Sequence, residues 1–243
     1  MSLVLAAGRS LAAYLFVALY VLVVGSPAIL VALAIRSPRL LYDAGIVGVR
    51  LGMWLSGLHY TAEGREHILR DRAAVYVVNH ASNLEPPVIF ALLRPLHPRL
   101  SVLYKAELRK LPILVWAFDL AGFVPLERGN PGQSLPAVDR AAEALRHGTS
   151  FMIYPEGTRS RTGDLLPFKK GGFIMAIKAE APIVPVAIKG ARDAMRKGSP
   201  IIRPVTARVR LGAPIATRGT TIDDRDRIIA EVRGRIAQML EGL

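Results

Sequence analysis

Cysteine is absent from the 243 residues. Its absence removes disulfide frameworks, thiolate zinc sites, iron–sulfur clusters and a cysteine nucleophile from the chemistry open to the chain. A reducing, cytoplasmic setting is compatible with it. Aromatic residues make up only 7% of the sequence, too few and too scattered for a base-stacking platform. Several signatures are also missing: no G-x-x-x-x-G-K-[ST] loop, no G-x-G-x-x-G, no G-x-S-x-G elbow and no H-E-x-x-H. His59, His67, His97 and His147 are dispersed without metal-ligand spacing. Neither a metal nor a resident cofactor is therefore expected, and acid–base chemistry is.

What is present pairs charge with grease. Lys and Arg number 32 against 19 Asp and Glu, a formal charge of +13, beside a hydrophobic fraction of 51%. A nucleic-acid binder accounts for the charge alone, whereas a protein working at an anionic membrane surface accounts for both. The expected partner is therefore a membrane and not nucleic acid. A charge-driven binding module without chemistry is the competing class.

No residue from Ser10 to Ile35 is charged, a run longer than the roughly 20 residues a bilayer core requires. A cleaved signal peptide has a shorter apolar region, about 7 to 15 residues, so this segment is expected to be retained. Gly25-Ser26-Pro27 in its middle either kinks one tilted span or turns the chain into a re-entrant hairpin of two short helices. Arg9 on one flank and Arg36 and Arg39 on the other favour the hairpin, with both flanks on the cytoplasmic side. Residues 41–58, with sparse charge at Asp43 and Arg50 and with Trp54 near the end, read as an interfacial helix. The economical division is a membrane-associated segment over 1–57 and one catalytic domain over 58–243.

Beyond residue 58 short apolar runs alternate with helical stretches, the rhythm of an α/β domain. Strands are expected at 58–64, 73–78, 99–105, 121–126, 150–154, 182–188 and 205–211. Helices are expected at 86–94, 106–119, 134–147 and 170–180. A last helix should open after Asp223-Asp224, with Ile228, Val232 and Ile236 on one side. Pro185 inside the sixth strand points to a sheet edge or a bulge.

Two polar stretches follow strands. In "VYVVNHASNLEPPVIF", residues 75–90, His80 stands where α/β proteins present functional side chains, and Glu85 lies five residues on. A carboxylate on the Nδ1 side would fix the tautomer and leave Nε2 as a general base. Ser82-x-x-Glu85 is equally a helix capping box ahead of Pro86-Pro87, and one carboxylate is not expected to serve both roles fully. In "FMIYPEGTRSRTG", residues 151–163, backbone N–H groups, hydroxyls and the Arg159 guanidinium suit phosphate oxygens. A plain turn with a surface salt bridge is the bland alternative. Lys169 and Lys170 follow in "LPFKKGG", where they matter only if a phosphate site lies near. Weaker signals are Lys105 at the end of the third strand and Arg128 beside Glu127.

In order and spacing, "NHASNLEPP", "GFVPLER", "YPEGTRS" and "IVPVAI" together resemble the blocks of the 1-acyl-sn-glycerol-3-phosphate acyltransferases, the PlsC-like lysophospholipid acyltransferases. The likeness spans about residues 58 to 215. It implies a mixed, largely parallel sheet flanked by helices behind an N-terminal membrane-associated segment, with the catalytic domain on the cytoplasmic face. It further implies that His80 is the general base and Glu85 its orienting acid. Arg128, Glu156, Gly157, Thr158 and Arg159 would bind the headgroup, with Lys105 nearby. The reaction implied is transfer of an acyl group from acyl-CoA or acyl-carrier protein to the hydroxyl of a lysophosphatidic acid, without an acyl-enzyme. Backbone N–H groups of the 79–84 turn or a nearby cation would hold the oxyanion. The family usually carries Asp where this chain has Glu85. Another lyso-lipid acceptor and an acyl thioesterase are the alternative readings.

Overall fold

The structure is a computed structural model and describes residues 3–110, 112–127 and 131–243. Among these residues seven strands form one sheet: β1 (Leu58–Glu63), β2 (Val75–Val78), β3 (Leu100–Lys105), β4 (Val124–Leu126), β5 (Ser150–Ile153), β6 (Ile183–Lys189) and β7 (Val205–Leu211). Their order is β1-β7-β6-β2-β5-β3-β4. Only β6 and β7 run antiparallel; all other neighbours are parallel. The sheet is mixed and largely parallel, as expected.

A parallel sheet needs cover on both faces, because its crossover helices pack there. The central strands β2 and β5 are accordingly buried along their whole length. Tyr76, Val78, Met152 and Val184 point into one core with α3 (Pro38–Ser56) and α4 (Glu85–Leu92). Val75, Val77, Phe151 and Ile183 point into the other. That second face is covered by α6 (Pro131–Arg146), α7 (Gly171–Lys178) and α9 (Arg225–Glu241). In α9, Ile228, Val232 and Ile236 are buried at the expected four-residue spacing. Thr221 and Asp224 form a capping box just ahead of it.

Two sequence expectations change, and the alternatives for Pro185 are decided. The stretch 106–119 is not one helix: a 3-10 turn over Ala106–Lys110 precedes α5 (Pro112–Leu120). Pro112 has no N–H and is tolerated in a first turn, not in a helix interior. Pro185 is not on an edge, since β6 lies between β2 and β7. A bulge does accommodate it: Ile183 bridges Ile215 and Val186 pairs with Leu211, so the five residues 211–215 face the four residues 183–186. Gly212 N–H donates to the Pro185 carbonyl at 2.8 Å beside that extra residue.

Gly25-Ser26-Pro27 does not turn the chain either. Helix α1 (Leu3–Tyr20) passes through a π-helical turn over Val21–Gly25 into α2 (Ser26–Ala34), with α-helical dihedrals at the junction residues Tyr20, Gly25 and Ser26. The wider turn lets the Ser26 N–H and hydroxyl both reach the Val21 carbonyl, so the helix continues past Pro27. Val4–Ala34 is long and apolar enough to cross a membrane by length and composition. The chain reverses instead at residues 35–37, where Arg36 takes a φ of 51°, and α3 returns alongside.

This helix does not stand away from the sheet. Near its start Ser10 Oγ accepts the Ile202 N–H at 2.7 Å and Tyr14 donates to the Pro200 carbonyl at 2.7 Å; near its end α2 packs on α5. Its outer side leaves Val4, Leu15, Leu19, Leu22 and Leu30 exposed, more contiguous apolar surface than a soluble monomer usually shows. Helix α3 is half inside, burying Tyr42, Ile46 and Met53 while Trp54 remains exposed.

Strand order sets the place of the site. From β2 the chain leaves towards β3, and from β5 it leaves towards β6, in opposite directions across the sheet. The two connections also take opposite faces, α4 on one and α7 on the other, and a crevice opens beyond the carboxyl ends of adjacent parallel strands whose connections separate in this way. At the end of β2 the buried Asn79 donates from Nδ2 to the Ile188 carbonyl at 3.0 Å and accepts the Ile188 N–H at 2.8 Å. Asn79→Ala should cost about 2–4 kcal/mol, because two buried backbone groups lose their partner. Urea unfolding in detergent measures it.

Candidate active site

The two polar stretches leave β2 and β5 side by side, and their backbones are bonded to each other. The Ser160 N–H donates to the His80 carbonyl at 2.7 Å. In the other direction the His80 N–H donates to Glu156 Oε1 at 2.7 Å, and Glu156 Oε2 accepts the Leu166 N–H at 3.1 Å. Glu156 is 4% exposed. Expected among the headgroup ligands, it instead has both oxygens committed to backbone N–H groups. Burial pushes its carboxyl above the ordinary value, and the two N–H bonds pull it partly back.

Glu85 serves the histidine and the backbone of the turn, not a helix cap. Its Oε2 stands 2.8 Å from His80 Nδ1 while its oxygens accept the Ala81 N–H at 2.9 and 3.0 Å. The expected capping box does not form: Ser82 Oγ accepts the Leu84 N–H and donates to the Met195 carbonyl. Glu85 is 1% exposed against 17% for the His80 side chain. Desolvation raises its carboxyl, opposed by the His80 and Ala81 hydrogen bonds. The extra methylene relative to Asp is absorbed inside the core, and contact with Nδ1 is kept.

Tyr154, which the sequence reading assigned no role, lies against the His80 ring at 4.4 Å between centroids with a 35° tilt. Its phenol is desolvated and held well above its ordinary value. The imidazole is thus held by Glu85 at Nδ1, by Tyr154 against its ring and by its own backbone N–H on Glu156. Nε2 remains for the cavity.

That cavity, about 740 Å³, is lined by His80, Gly157, Thr158, Arg159, Lys169 and neighbouring residues. The Arg159 guanidinium has no hydrogen-bond or ion-pair partner among the described residues. Thr158 Oγ1 and the Arg159 carbonyl both take bonds from Lys197 Nζ, at 3.2 and 3.0 Å. Lys197 belongs to the chain after α8 (Ala191–Ala194). Lys105 is not among the lining residues; it ends β3 in an exposed pair with Glu107 at 2.9 Å. Arg128 lies outside the described residues. The N–H groups of His80, Ala81 and Leu84 are committed to Glu156, Glu85 and Ser82, which removes three of the 79–84 turn's donors from the expected oxyanion role. Among the described residues no three His, Asp or Glu side chains gather to hold a metal ion.

A second cavity of about 590 Å³ lies between the N-terminal helices and the first face of the sheet, lined by apolar groups such as Val17, Ile29, Met53, Phe90 and Phe118. The two meet the start of α4 from opposite sides: Pro86 lines one, Leu84 and Pro87 the other.

The Acyltransferase family model matches residues 59–189, more than half of the chain, and the chain belongs to that family. Among curated relatives, a 1-acyl-sn-glycerol-3-phosphate acyltransferase of Cocos nucifera is 35% identical over 174 residues, covering 71% of this chain and 55% of the relative. The chloroplastic 1-acyl-sn-glycerol-3-phosphate acyltransferase LPAT1 of Arabidopsis thaliana is 35% identical over 181 residues, covering 74% and 48%. The chain thus spans about half the length of these relatives. The crystal structure of PlsC from Thermotoga maritima, a 1-acyl-sn-glycerophosphate acyltransferase, superimposes with a TM-score of 0.82 at 24% identity, over 100% of this chain and 97% of that one. That likeness establishes the fold.

Glu156→Ala leaves the His80 and Leu166 N–H groups without acceptors. It should cost about 2–4 kcal/mol in urea unfolding. Because the carboxylate is turned away from the cavity, turnover should fall with little change in acceptor KM.

Proposed function

We propose that the protein transfers an acyl group from a thioester donor, acyl-CoA or acyl-carrier protein, to the free hydroxyl of a lysophosphatidic acid, giving phosphatidic acid. The observation that carries this reading is the His80–Glu85 pair opening on the cavity lined by the unpartnered Arg159. A base and an anion receptor in one cavity fit an acceptor that bears both a hydroxyl and a phosphate. Curated relatives with this printed activity support the same reaction.

In the proposed mechanism Glu85 accepts a hydrogen bond from Nδ1–H and holds Nε2 unprotonated towards the cavity. Nε2 removes the acceptor hydroxyl proton as that oxygen attacks the thioester carbonyl. The new C–O bond forms, the C–S bond breaks, and the imidazolium returns its proton to the departing thiolate. Arg159 holds the phosphate with its guanidinium fork. The apolar cavity on the other side of α4 suits an acyl chain. No step calls for a resident cofactor.

The exposed apolar side of α1 and α2 supports membrane contact. Because that helix is bound to the catalytic layers near both ends, the reading is a hairpin lying in one face of an anionic bilayer. The excess of basic residues favours the cytoplasmic face.

Purified protein should release free thiol from acyl-CoA only when a lysophospholipid is present, and His80→Ala should reduce this by at least about 100-fold. Thiol release without acceptor would establish a thioesterase instead. Glu85→Asp should retain activity. Glu85→Gln should lose it by about 10²–10⁴-fold, since an amide favours the wrong tautomer. The working form has Nε2 unprotonated and Glu85 ionised, so the acid limb of kcat/KM should report protonation of the His80–Glu85 pair and not of one residue alone. In Glu85→Asp that limb should move with the new carboxyl.

A further inference from the structure

Lys169 lines the same cavity as Arg159 but lies outside the stretch first read as a phosphate receptor. Its position is built by the fold. Its N–H donates to the Pro155 carbonyl at 2.8 Å, which brings the chain ahead of α7 back across the turn after β5. Its side chain then runs over Gly157. A Cβ at residue 157 would fall 2.8 Å from Lys169 Cε and 3.0 Å from Nζ, and Gly157 also has a φ of +67°. Glycine there serves the left-handed backbone and leaves room for the lysine at once.

The neighbouring cations are engaged elsewhere. Lys170 pairs with Asp226 at 3.1 Å, and Lys197 holds Thr158 and the Arg159 carbonyl. Lys169 Nζ, like the Arg159 guanidinium, has no hydrogen-bond or ion-pair partner among the described residues. Glu127 is the acidic residue on the cavity wall, while Glu156 and Glu85 are turned inward to their own partners.

We propose that Lys169 and Arg159 form a two-cation receptor that selects an acceptor bearing a phosphomonoester over one bearing a phosphodiester. The proposal rests on the reading of the cavity as a headgroup site. A diester carries one negative charge, which a single guanidinium fork matches across two oxygens. A monoester near neutral pH carries about 1.5 to 2 charges over three free oxygens. The second cation answers the second charge, and an ammonium suits it as a compact point charge. Coenzyme A also bears a phosphomonoester, so the same chemistry has two sources.

The test compares wild type with Lys169→Gln on lysophosphatidic acid and lysophosphatidylglycerol, with acyl-CoA and with acyl-carrier protein as donors. Lys169→Gln should lower kcat/KM for lysophosphatidic acid by about 10- to 100-fold, the loss of one charge-assisted hydrogen bond. It should leave lysophosphatidylglycerol within about twofold and the KM of acyl-CoA unchanged, and Lys169→Arg should restore most of the loss. Inhibition by sn-glycerol 3-phosphate should weaken by a similar factor, while inhibition by glycerophosphoglycerol should not move. Equal losses on both acceptors, no loss on lysophosphatidic acid, or a rise confined to the KM of acyl-CoA each overturn the proposal while the functional reading stands. A wild-type protein inert towards both lysophospholipids overturns that reading, and the proposal with it.

Discussion

The structure depends on one buried hydrogen bond, from the His80 N–H to Glu156 Oε1. Parallel strands end without a shared turn, and nothing in the sheet ladder dictates how the chain after β2 stands relative to the chain after β5. The Glu156 carboxylate supplies that relation, and the Ser160 N–H returns it to the His80 carbonyl. With the backbone of His80 held, its ring meets Tyr154 on one side and Glu85 at Nδ1. The bond comes at an electrostatic cost, since burial raises both the Glu156 and Glu85 carboxyls. A raised folded pKa means that ionising these groups as pH rises works against folding. Two acids near one histidine are tolerated because each accepts several N–H bonds.

The sheet was legible because its signal is local. Short apolar runs alternating with helical stretches mark all seven strands, and each observed strand overlaps the stretch where it was expected. What the pattern left open was order. The antiparallel β7 and the interior place of β6 follow from tertiary packing, and of the two places open to Pro185, an edge or a bulge, that packing selects the bulge. Gly25-Ser26-Pro27 did mislead. A π-helical turn can carry a helix past proline, and periodicity does not distinguish that from a break. Pro112 was a readable stop inside the 106–119 stretch, outweighed there by apolar spacing.

At the site, His80 and Glu85 were legible as a pair because five residues of turn bring them together. The orientation of Glu156 was not: a carboxylate in a Gly-containing turn reads the same whether it faces ligand or backbone. Tyr154 was hidden by its place at the end of a strand, where an aromatic residue is ordinary. Lys105 stood at a strand end like the motif residues, and only the geometry separates it from them. Lys197 carries no motif at all, since its relation to Thr158 is made by a loop nearly 40 residues downstream.

That loop has a practical meaning. Met195 and Lys197 hold the turns after β2 and β5, and a few residues later Pro200 and Ile202 are bonded to Tyr14 and Ser10 of the first helix. The N-terminal helix is therefore a structural brace for the site. A trimmed form lacking the first 57 residues, made for solubility, loses the seat of that brace. Inactivity of such a fragment towards even a water-soluble short-chain acceptor would then report a loosened catalytic turn, not a missing membrane.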